Sequence, residues 1–158
     1  MRILNSDRLT SHGNREGRRI ATEILEAGLQ AADPYDNTRR LLRIEGDTLH
    51  IGNDLFVPEG SPRTGIDSYK FGEDIDRIFV FGVGKGIQRV AQALEDVLGD
   101  RLTGGMVLIK HQDLHQLRRI QVRYASHPVP EQDCVDACRD LMQMIDGLCL
   151  TQRDMVFT

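Results

Sequence analysis

The feature that most constrains the fold is an apolar run that leads directly into a glycine-rich turn. Ile78-Phe79-Val80-Phe81 is apolar throughout, which is typical of a strand covered on both faces of a sheet. Gly82-Val83-Gly84-Lys85-Gly86 follows it, and the apolar residues from Ile87 to Leu98 then keep helical spacing. Because a strand, a tight turn and a helix form the first half of a βαβ unit, the sequence predicts a parallel sheet.

The chain continues this alternation towards its carboxyl end. Residues 105–110 have the composition of a second buried strand, and alternating apolar residues predict a third strand over 120–124. Helical spacing returns over residues 134–148, and residues 154–158 begin another strand. The predicted fold class is therefore α/β, a Rossmann-like three-layer α/β/α arrangement with a mainly parallel sheet.

The residues before this core are predicted to form N-terminal helices and a β-hairpin. Apolar spacings of four and three predict a helix over residues 15–32. Asp33-Pro34 then supplies the N-cap and first position of a short second helix. Period-two alternation on either side of residues 45–48 predicts the hairpin.

The chain divides into a lead-in packed on the main sheet, residues 1–73, and the Rossmann-like core, residues 74–158. A loop over 58–66, rich in proline and glycine, is the best candidate for the boundary. A parallel strand is normally followed by a crossover helix, but none follows the strand that begins at Asp154. That strand is expected either to be a terminal edge or to mark a truncated chain, the N-terminal portion of a longer protein.

Composition excludes several classes of protein. With 158 residues, 40% apolar and 28% charged, the chain is long enough for a core and is not largely disordered. No apolar run approaches the ~20 residues of a membrane span. The N-terminus lacks the apolar core of a signal peptide, so we expect a cytoplasmic protein without a membrane partner. The net charge of −4 argues against a nucleic-acid partner.

The three cysteines, Cys134, Cys138 and Cys149, lie in the last quarter of the chain. Cys134 and Cys138 are one helical turn apart, but no CxxC or HxxxH pattern supports a zinc site. We predict reduced thiols in the core and no metal site.

The glycine-rich turn is the strongest candidate for chemistry. Gly82, Gly84 and Gly86 let the backbone approach an anion closely, and the first N–H groups of the following helix point at such an anion. Lys85 adds a positive charge at the same place. The spacing is neither that of a P-loop nor a full GxGxxG motif. A tight strand-to-helix turn with a solvated lysine therefore stays open as the structural alternative.

Two further candidates end the neighbouring strands. Lys110 closes the second strand with His111 after it, and His127 follows the third strand. In a parallel sheet these residues project from the same edge as Lys85 and would suit an anionic ligand. The alternatives are an ordinary charged strand end for Lys110, and helix capping or pairing with Glu131 for His127.

These features together resemble one family. The chain is similar to the N-terminal domain of the glycerate 2-kinase family. Its members join a Rossmann-like domain to a second domain of the MOFRL type, and some of them are labelled hydroxypyruvate reductases. The similarity runs over nearly the whole chain in the family's order, and the HPVP segment after a GxGK turn is its most specific part. The matching segments are residues 27–35, 78–85, 105–110, 125–130 and 150–157.

The resemblance implies ATP-dependent phosphorylation of D-glycerate to 2-phosphoglycerate, with Mg²⁺, in a cleft between two domains. It implies that Lys85 is the catalytic lysine, with Lys110 and His127 at the edge of the substrate pocket. Phosphate or nucleotide would bind at the three glycines of the turn, Gly82, Gly84 and Gly86.

Several points remain open beside this resemblance. The family's serine- and glycine-rich phosphate loop and its second domain would lie beyond Thr158, so we expect this chain to be inactive alone. Gly86-Ile87 departs from the family turn, in which alanines follow the lysine.

The alternative function is a non-catalytic, sugar-phosphate-binding module of the SIS type, and a bare α/β scaffold is a third option. Pairing of an open sheet edge with a second copy leaves a homodimer open.

Overall fold

A computed structural model describes residues 2–53, 65–111 and 117–158. Its helices are α1 (Ser6–Thr10), α2 (Arg15–Ala31), α3 (Pro34–Leu41), α4 (Ile87–Leu98) and α5 (Gln132–Gly147). Its strands are β1 (Leu42–Glu45), β2 (Thr48–Gly52), β3 (Ile66–Lys70), β4 (Arg77–Val83), β5 (Gly104–Lys110), β6 (Ile120–Ala125) and β7 (Asp154–Phe157). The predicted loop over 58–66 lies mostly outside the described residues, and its last residue, Ile66, instead begins β3.

The core is a four-stranded parallel sheet in the order β6-β5-β4-β7. α4 lies between β4 and β5 in the chain and packs on one face, whereas α5 lies between β6 and β7 and packs on the other. The α/β class, the parallel sheet and the three layers are therefore confirmed. All strand carboxyl ends meet at one edge of this sheet, as a parallel arrangement requires.

The apolar run in β4 serves both faces of the sheet. Ile78 and Val80 belong to the hydrophobic cluster under α4, whereas Phe79 and Phe81 belong to the cluster under α5. Each of these four side chains is at most 4% exposed. Because successive strand residues point to opposite faces, a strand covered on both sides requires an unbroken apolar run.

A second sheet of three antiparallel strands, β1-β2-β3, extends the cluster under α4. The predicted hairpin is confirmed: Glu45 pairs with Thr48, and Gly46 takes a φ of +59° in the turn between them. Leu42 and Leu49 are buried in the same cluster as the α4 side chains. The lead-in therefore shares a hydrophobic core with the parallel sheet.

Two elements, α1 and β3, were not predicted from the sequence. The partly buried apolar residues of β3, Ile66 and Tyr69, are three positions apart rather than two, so the alternation of a strand is absent. α1 is five residues long and buries none of its side chains. Both elements depend on a neighbour that the local sequence does not reveal: α1 packs against α2, and β3 pairs with β2.

Asp33 caps α3 as predicted. Its carboxylate accepts the N–H of Tyr35 at 2.9 Å, and Pro34 holds the first helical position. The hydrogen bond from the Arg2 guanidinium, with smaller contributions from backbone N–H groups and from Arg89, lowers the pKa of Asp33 to about 2. Because Arg89 lies in the first turn of α4, the cap also ties the N-terminal helices to the core.

The predicted apolar face of α2 is present, but the described residues do not cover it. Ile20 is 45% exposed and Ile24 is 67% exposed, and α2 buries none of its side chains. Within the described ranges, no helix combines the length and the apolar character that crossing a membrane requires.

Ion pairs close the amino-terminal end of the parallel sheet. Arg77 of β4 and Asp154 of β7 occupy paired positions, with 2.6 Å between Nη2 and Oδ2, and the Asp154 side chain is 1% exposed. The Thr151 N–H donates to the same carboxylate at 2.6 Å. These contacts, chiefly the one with Arg77, hold the pKa of Asp154 well below its ordinary range. Arg153 pairs with Asp76 at the same end.

Candidate functional site

A cleft of about 170 Å³ lies where β4, β5 and β6 end, beside the first turns of α5. Three predicted site residues line it, each from a different strand end: Lys85 follows β4, Lys110 ends β5 and His127 follows β6. Gly84 and Ser126 also line the cleft. The parallel sheet therefore brings together, at one edge, residues that are up to 42 positions apart in the chain.

The three glycines of the turn have different surroundings. Gly84 lines the cleft with a φ of +130°, and nothing lies within 4 Å of the position of an added Cβ, so the backbone is open to a ligand. At Gly82, within β4, a Cβ would come within 2.3 Å of Ile87 Cδ1, so this glycine lets α4 pack closely on the strand. Gly86 is the N-cap residue of α4. Neither Gly82 nor Gly86 is among the described residues that line the cleft.

Lys85 and His127 are exposed at the mouth of the cleft. Within the described ranges, neither side chain makes a hydrogen bond or an ion pair. The two alternative roles for His127, helix capping and pairing with Glu131, are therefore not observed within those ranges. Glu131 itself occupies the N-cap position of α5, and its side chain makes no capping bond. A cis peptide bond joins His127 to Pro128. Lys110 is half-buried.

A carboxylate that the sequence analysis did not single out lies behind the cleft. Asp133, in the first turn of α5, accepts a hydrogen bond from Ser126 Oγ at 2.7 Å. The same oxygen, Oδ2, lies 3.0 Å from His111 Nε2, and the His111 ring stacks on Tyr124 with the centroids 5.6 Å apart. These contacts, that with His111 first, hold the pKa of Asp133 well below its ordinary range. An acidic residue in the first turn of a predicted helix was the available signal.

The order of this network is not that of a hydrolase triad. In such a triad the imidazole lies between the serine and the carboxylate and takes the serine proton. Here the carboxylate of Asp133 lies between Ser126 and His111. The arrangement therefore orients groups and does not activate Ser126 as a nucleophile.

The charged side chains that line the cleft, Lys85 and Lys110, are both cations, and most of the other lining residues are apolar. No Asp or Glu of the described ranges lines it, although Asp133 lies one hydrogen bond behind Ser126. Ammonium, imidazole and backbone groups in this arrangement match the oxygens of a carboxylate or a phosphate. Nowhere in those ranges do three or more His, Cys, Asp or Glu side chains form a group that could hold a metal ion.

The cysteines are free, but the prediction that they lie in the core is wrong. Cys134 is half-buried, and Cys138 and Cys149 are exposed. The face of α5 that enters the core carries Ala137 and Leu141, which turns Cys134 and Cys138 towards the cleft instead. Cys149 lies at the other end of the sheet, where its carbonyl oxygen accepts a hydrogen bond from Arg77.

The fold and the site together define an α/β domain with a cationic cleft at the carboxyl edge of a parallel sheet. Residues 20–158 match the family described as a domain of unknown function (DUF4147), and the chain belongs to this family. It is 22% identical over 140 residues to a glycerate 2-kinase from Pyrococcus horikoshii, aligning 89% of this chain with 27% of that protein. It is 29% identical over 76 residues to a D-glycerate 2-kinase from Thermotoga maritima, aligning 48% of this chain with 18% of that protein.

A solved structure has the same fold. The crystal structure of the PH0495 protein from Pyrococcus horikoshii superposes with a TM-score of 0.66 at 21% identity, covering 89% of this chain and 28% of that chain. These comparisons confirm the resemblance to the N-terminal domain of the glycerate 2-kinase family. The chain spans about a quarter of the length of these relatives, or less.

Proposed function

We propose that this chain is the N-terminal portion of an ATP-dependent glycerate 2-kinase, which converts D-glycerate and ATP to 2-phosphoglycerate and ADP. The observation that carries the proposal is the convergence of Lys85, Lys110 and His127 on one cleft, which no carboxylate of the described residues lines. Such a lining favours a small oxyanion by direct charge attraction. The names of the curated relatives support the same chemistry.

Each lining residue has a role in this proposal. Phosphoryl transfer requires mainly that reactants are positioned and that phosphate charge is neutralised. Lys85 is the catalytic group that meets the transferring phosphoryl, and Gly84 lets the backbone approach it. Lys110 and His127 hold the carboxylate of glycerate, and Lys85 also attracts that carboxylate when glycerate binds without a nucleotide. Gly82 and Gly86 shape the turn that presents Lys85.

The size of the cleft limits which reactant this chain can bind. Its volume of about 170 Å³ is below the ~300–1,000 Å³ of sites that enclose a drug-sized ligand. It suits a three-carbon acid or a phosphate group, and not a whole nucleotide. Mg²⁺ accompanies ATP in this proposal, but the described residues offer it no cluster of carboxylates.

The proposal includes the state of the chain. Because it aligns with about a quarter of its relatives or less, we propose that it binds the small substrate and is inactive alone. We place it in the cytoplasm, without a nucleic-acid or membrane partner, and keep the homodimer as an option. We propose that the chain consists of a lead-in, residues 1–73, and a Rossmann-like core, residues 74–158.

The cysteines provide a test of cleft occupancy. Cys138 is exposed and lines the cleft, whereas Cys149 is exposed at the opposite end of the sheet. We expect D-glycerate to slow the alkylation of Cys138 by iodoacetamide, measured by mass spectrometry, and to leave the alkylation of Cys149 unchanged. Glycerate that protects both thiols equally, or neither, contradicts the proposal.

Two variants refine this test. Lys85→Ala should abolish the protection of Cys138 because it removes the cation that the ligand meets. Lys70→Ala is the matched control, since Lys70 is an exposed lysine on β3 that pairs with Glu73. Protection by a sugar phosphate and not by glycerate would instead favour the SIS-type binding module.

A further inference from the structure

Asp133 joins the two walls of the cleft, which are the segment Lys110-His111 and the segment Ser126-His127. Its Oδ2 accepts the Ser126 hydroxyl at 2.7 Å and lies 3.0 Å from His111 Nε2. Ser126 directly precedes His127, and His111 directly follows Lys110. One carboxylate oxygen therefore connects the two chain segments that carry Lys110 and His127.

Further contacts hold the same segments. The ring of His111 stacks on Tyr124 of β6, with the planes at 14°. The Cys134 thiol donates to the Ser126 carbonyl oxygen at 3.4 Å. These contacts run from the end of β5 through α5 to the end of β6, so a shift of Asp133 displaces both walls.

The carboxylate is unsuited to proton transfer. Its pKa lies well below the ordinary range because of His111 and Ser126, so Asp133 is ionised at neutral pH and is a weak base. Its other oxygen, Oδ1, is buried and accepts no hydrogen bond from any residue in the described ranges.

We propose that Asp133 is a positioning residue that sets the separation of Lys110 and His127, and thereby the affinity of the cleft for a small oxyanion. The class of ligand rests on the proposed function. The tie between the two walls does not, because it is a property of the chain without a ligand.

The sign of one effect separates positioning from the presence of a nearby charge. A carboxylate close to an anion repels it, so Coulomb's law alone requires that Asp133→Asn binds anions more tightly. Positioning requires the opposite. An amide oxygen is a weaker acceptor than a carboxylate, so the tie to Ser126 and His111 loosens and binding weakens.

The experiment compares Asp133→Asn with Asp136→Asn, which neutralises an exposed carboxylate on the same helix that pairs with Arg139. The parent and both variants are titrated with D-glycerate and with inorganic phosphate. We expect Asp133→Asn to bind about tenfold more weakly, the size of one lost charge-assisted hydrogen bond. Asp136→Asn should stay within about twofold of the parent, as for an exposed ion pair. Equal or tighter binding by Asp133→Asn overturns the proposal.

Thermal unfolding adds a measurement that separates positioning from folding. We expect the unfolding midpoint of Asp133→Asn to stay close to that of the parent, because the amide oxygen can still accept from Ser126 and the substitution removes a partly buried charge. A loss of affinity that only follows a loss of folded protein at the assay temperature overturns the positioning role.

Amide hydrogen exchange distinguishes this inference from the proposed function. If the parent binds neither D-glycerate nor phosphate, the proposed function is wrong. Amide hydrogen exchange of the ligand-free protein then still tests whether Asp133 positions the two segments. Asp133→Asn should then speed exchange over residues 108–111 and over 125–127, whereas Asp136→Asn should match the parent. Unchanged exchange in either segment overturns the inference.

A second variant covers a failure of Asp133→Asn to fold. His111→Phe keeps an aromatic ring on Tyr124 and removes the nitrogen that contacts Asp133. We expect it to weaken anion binding, or in the absence of binding to speed exchange over residues 125–127. Behaviour like that of the parent in both measurements overturns the proposal.

Discussion

The two ends of the parallel sheet use charge in opposite ways. At the amino-terminal end, Arg77 pairs with Asp154 across β4 and β7, and Arg153 pairs with Asp76. At the carboxyl-terminal end, Lys85 is exposed and makes no ion pair in the part of the chain that the structure describes. One end therefore satisfies its cations internally, and the other presents a cation to solvent.

This difference separates charges that stabilise the fold from a charge that is accessible to a ligand. A buried carboxylate requires a partner, because an unpaired charge in the interior is costly. An exposed lysine at a strand end has no such need, and a paired one would be less available to an anion. Substitutions at the amino-terminal end should therefore lower stability, whereas substitutions at the carboxyl end should weaken ligand binding.

The largest loss of stability is expected from Gly105→Ala, near the amino-terminal end of β5. Gly105 has a φ of +151°, and a Cβ would lie 1.9 Å from the Val80 carbonyl oxygen. The two strands would have to separate, at a cost of at least about 3 kcal/mol in the free energy of unfolding. Urea denaturation measures this. The matched control is Gly104→Ala, whose Cβ would meet Arg119 O at an ordinary 3.7 Å.

The next effect concerns the Arg77–Asp154 pair and depends on pH. The folded-state pKa of Asp154 is lowered below 3.8, so its contribution to stability is fully present above pH 3.8 and is lost as pH falls through the folded-state value. Asp154→Asn should therefore be less stable than the parent at neutral pH, and the gap should close below pH 3.8. Urea denaturation of both proteins across pH tests this, and a gap that widens in acid contradicts it.

A smaller loss is expected at the turn that leads into the cleft. Gly84→Ala forces an alanine into a φ of +130°, which costs about 1–3 kcal/mol even though nothing lies within 4 Å of its Cβ. Gly28 in α2 offers the same open space with helical geometry. Gly28→Ala should therefore stabilise the chain by about 0.5–1 kcal/mol. Equal effects of the two substitutions would show that backbone strain at the turn is absent.

The smallest effect on stability is expected from Lys85→Ala. Its side chain is exposed and makes no ion pair with any described residue, so unfolding should change by less than about 0.5 kcal/mol. Thermal unfolding measures this directly. A large fall in the midpoint would instead show that Lys85 is structural.

Much of the fold could be predicted from the sequence because the signals were strong and local. The apolar run of β4 and the helical spacing of α4 placed both elements within a residue or two. The prediction failed where neighbours decide the outcome. The spacing of β3 carries no alternation, and α1 is short and buries none of its side chains.

The site shows the same division. Lys85, Lys110 and His127 could be placed at one edge because parallel strands end together. The position of the Asp133 side chain could not be predicted, because it depends on the rotation of α5 about its axis. The same rotation turned Cys134 and Cys138 to the cleft and not to the core.

In this proposal, the carboxyl end of the sheet holds a small anion at Lys85 and Lys110. Calorimetric titration of D-glycerate, Mg·ATP and a sugar phosphate into the parent and into Lys85→Ala tests it most directly. We expect the parent to bind glycerate and Lys85→Ala to bind it at least about tenfold more weakly, as for one lost charge-assisted contact. Glycerate binding that is the same in both proteins, or that is absent from the parent, would contradict it.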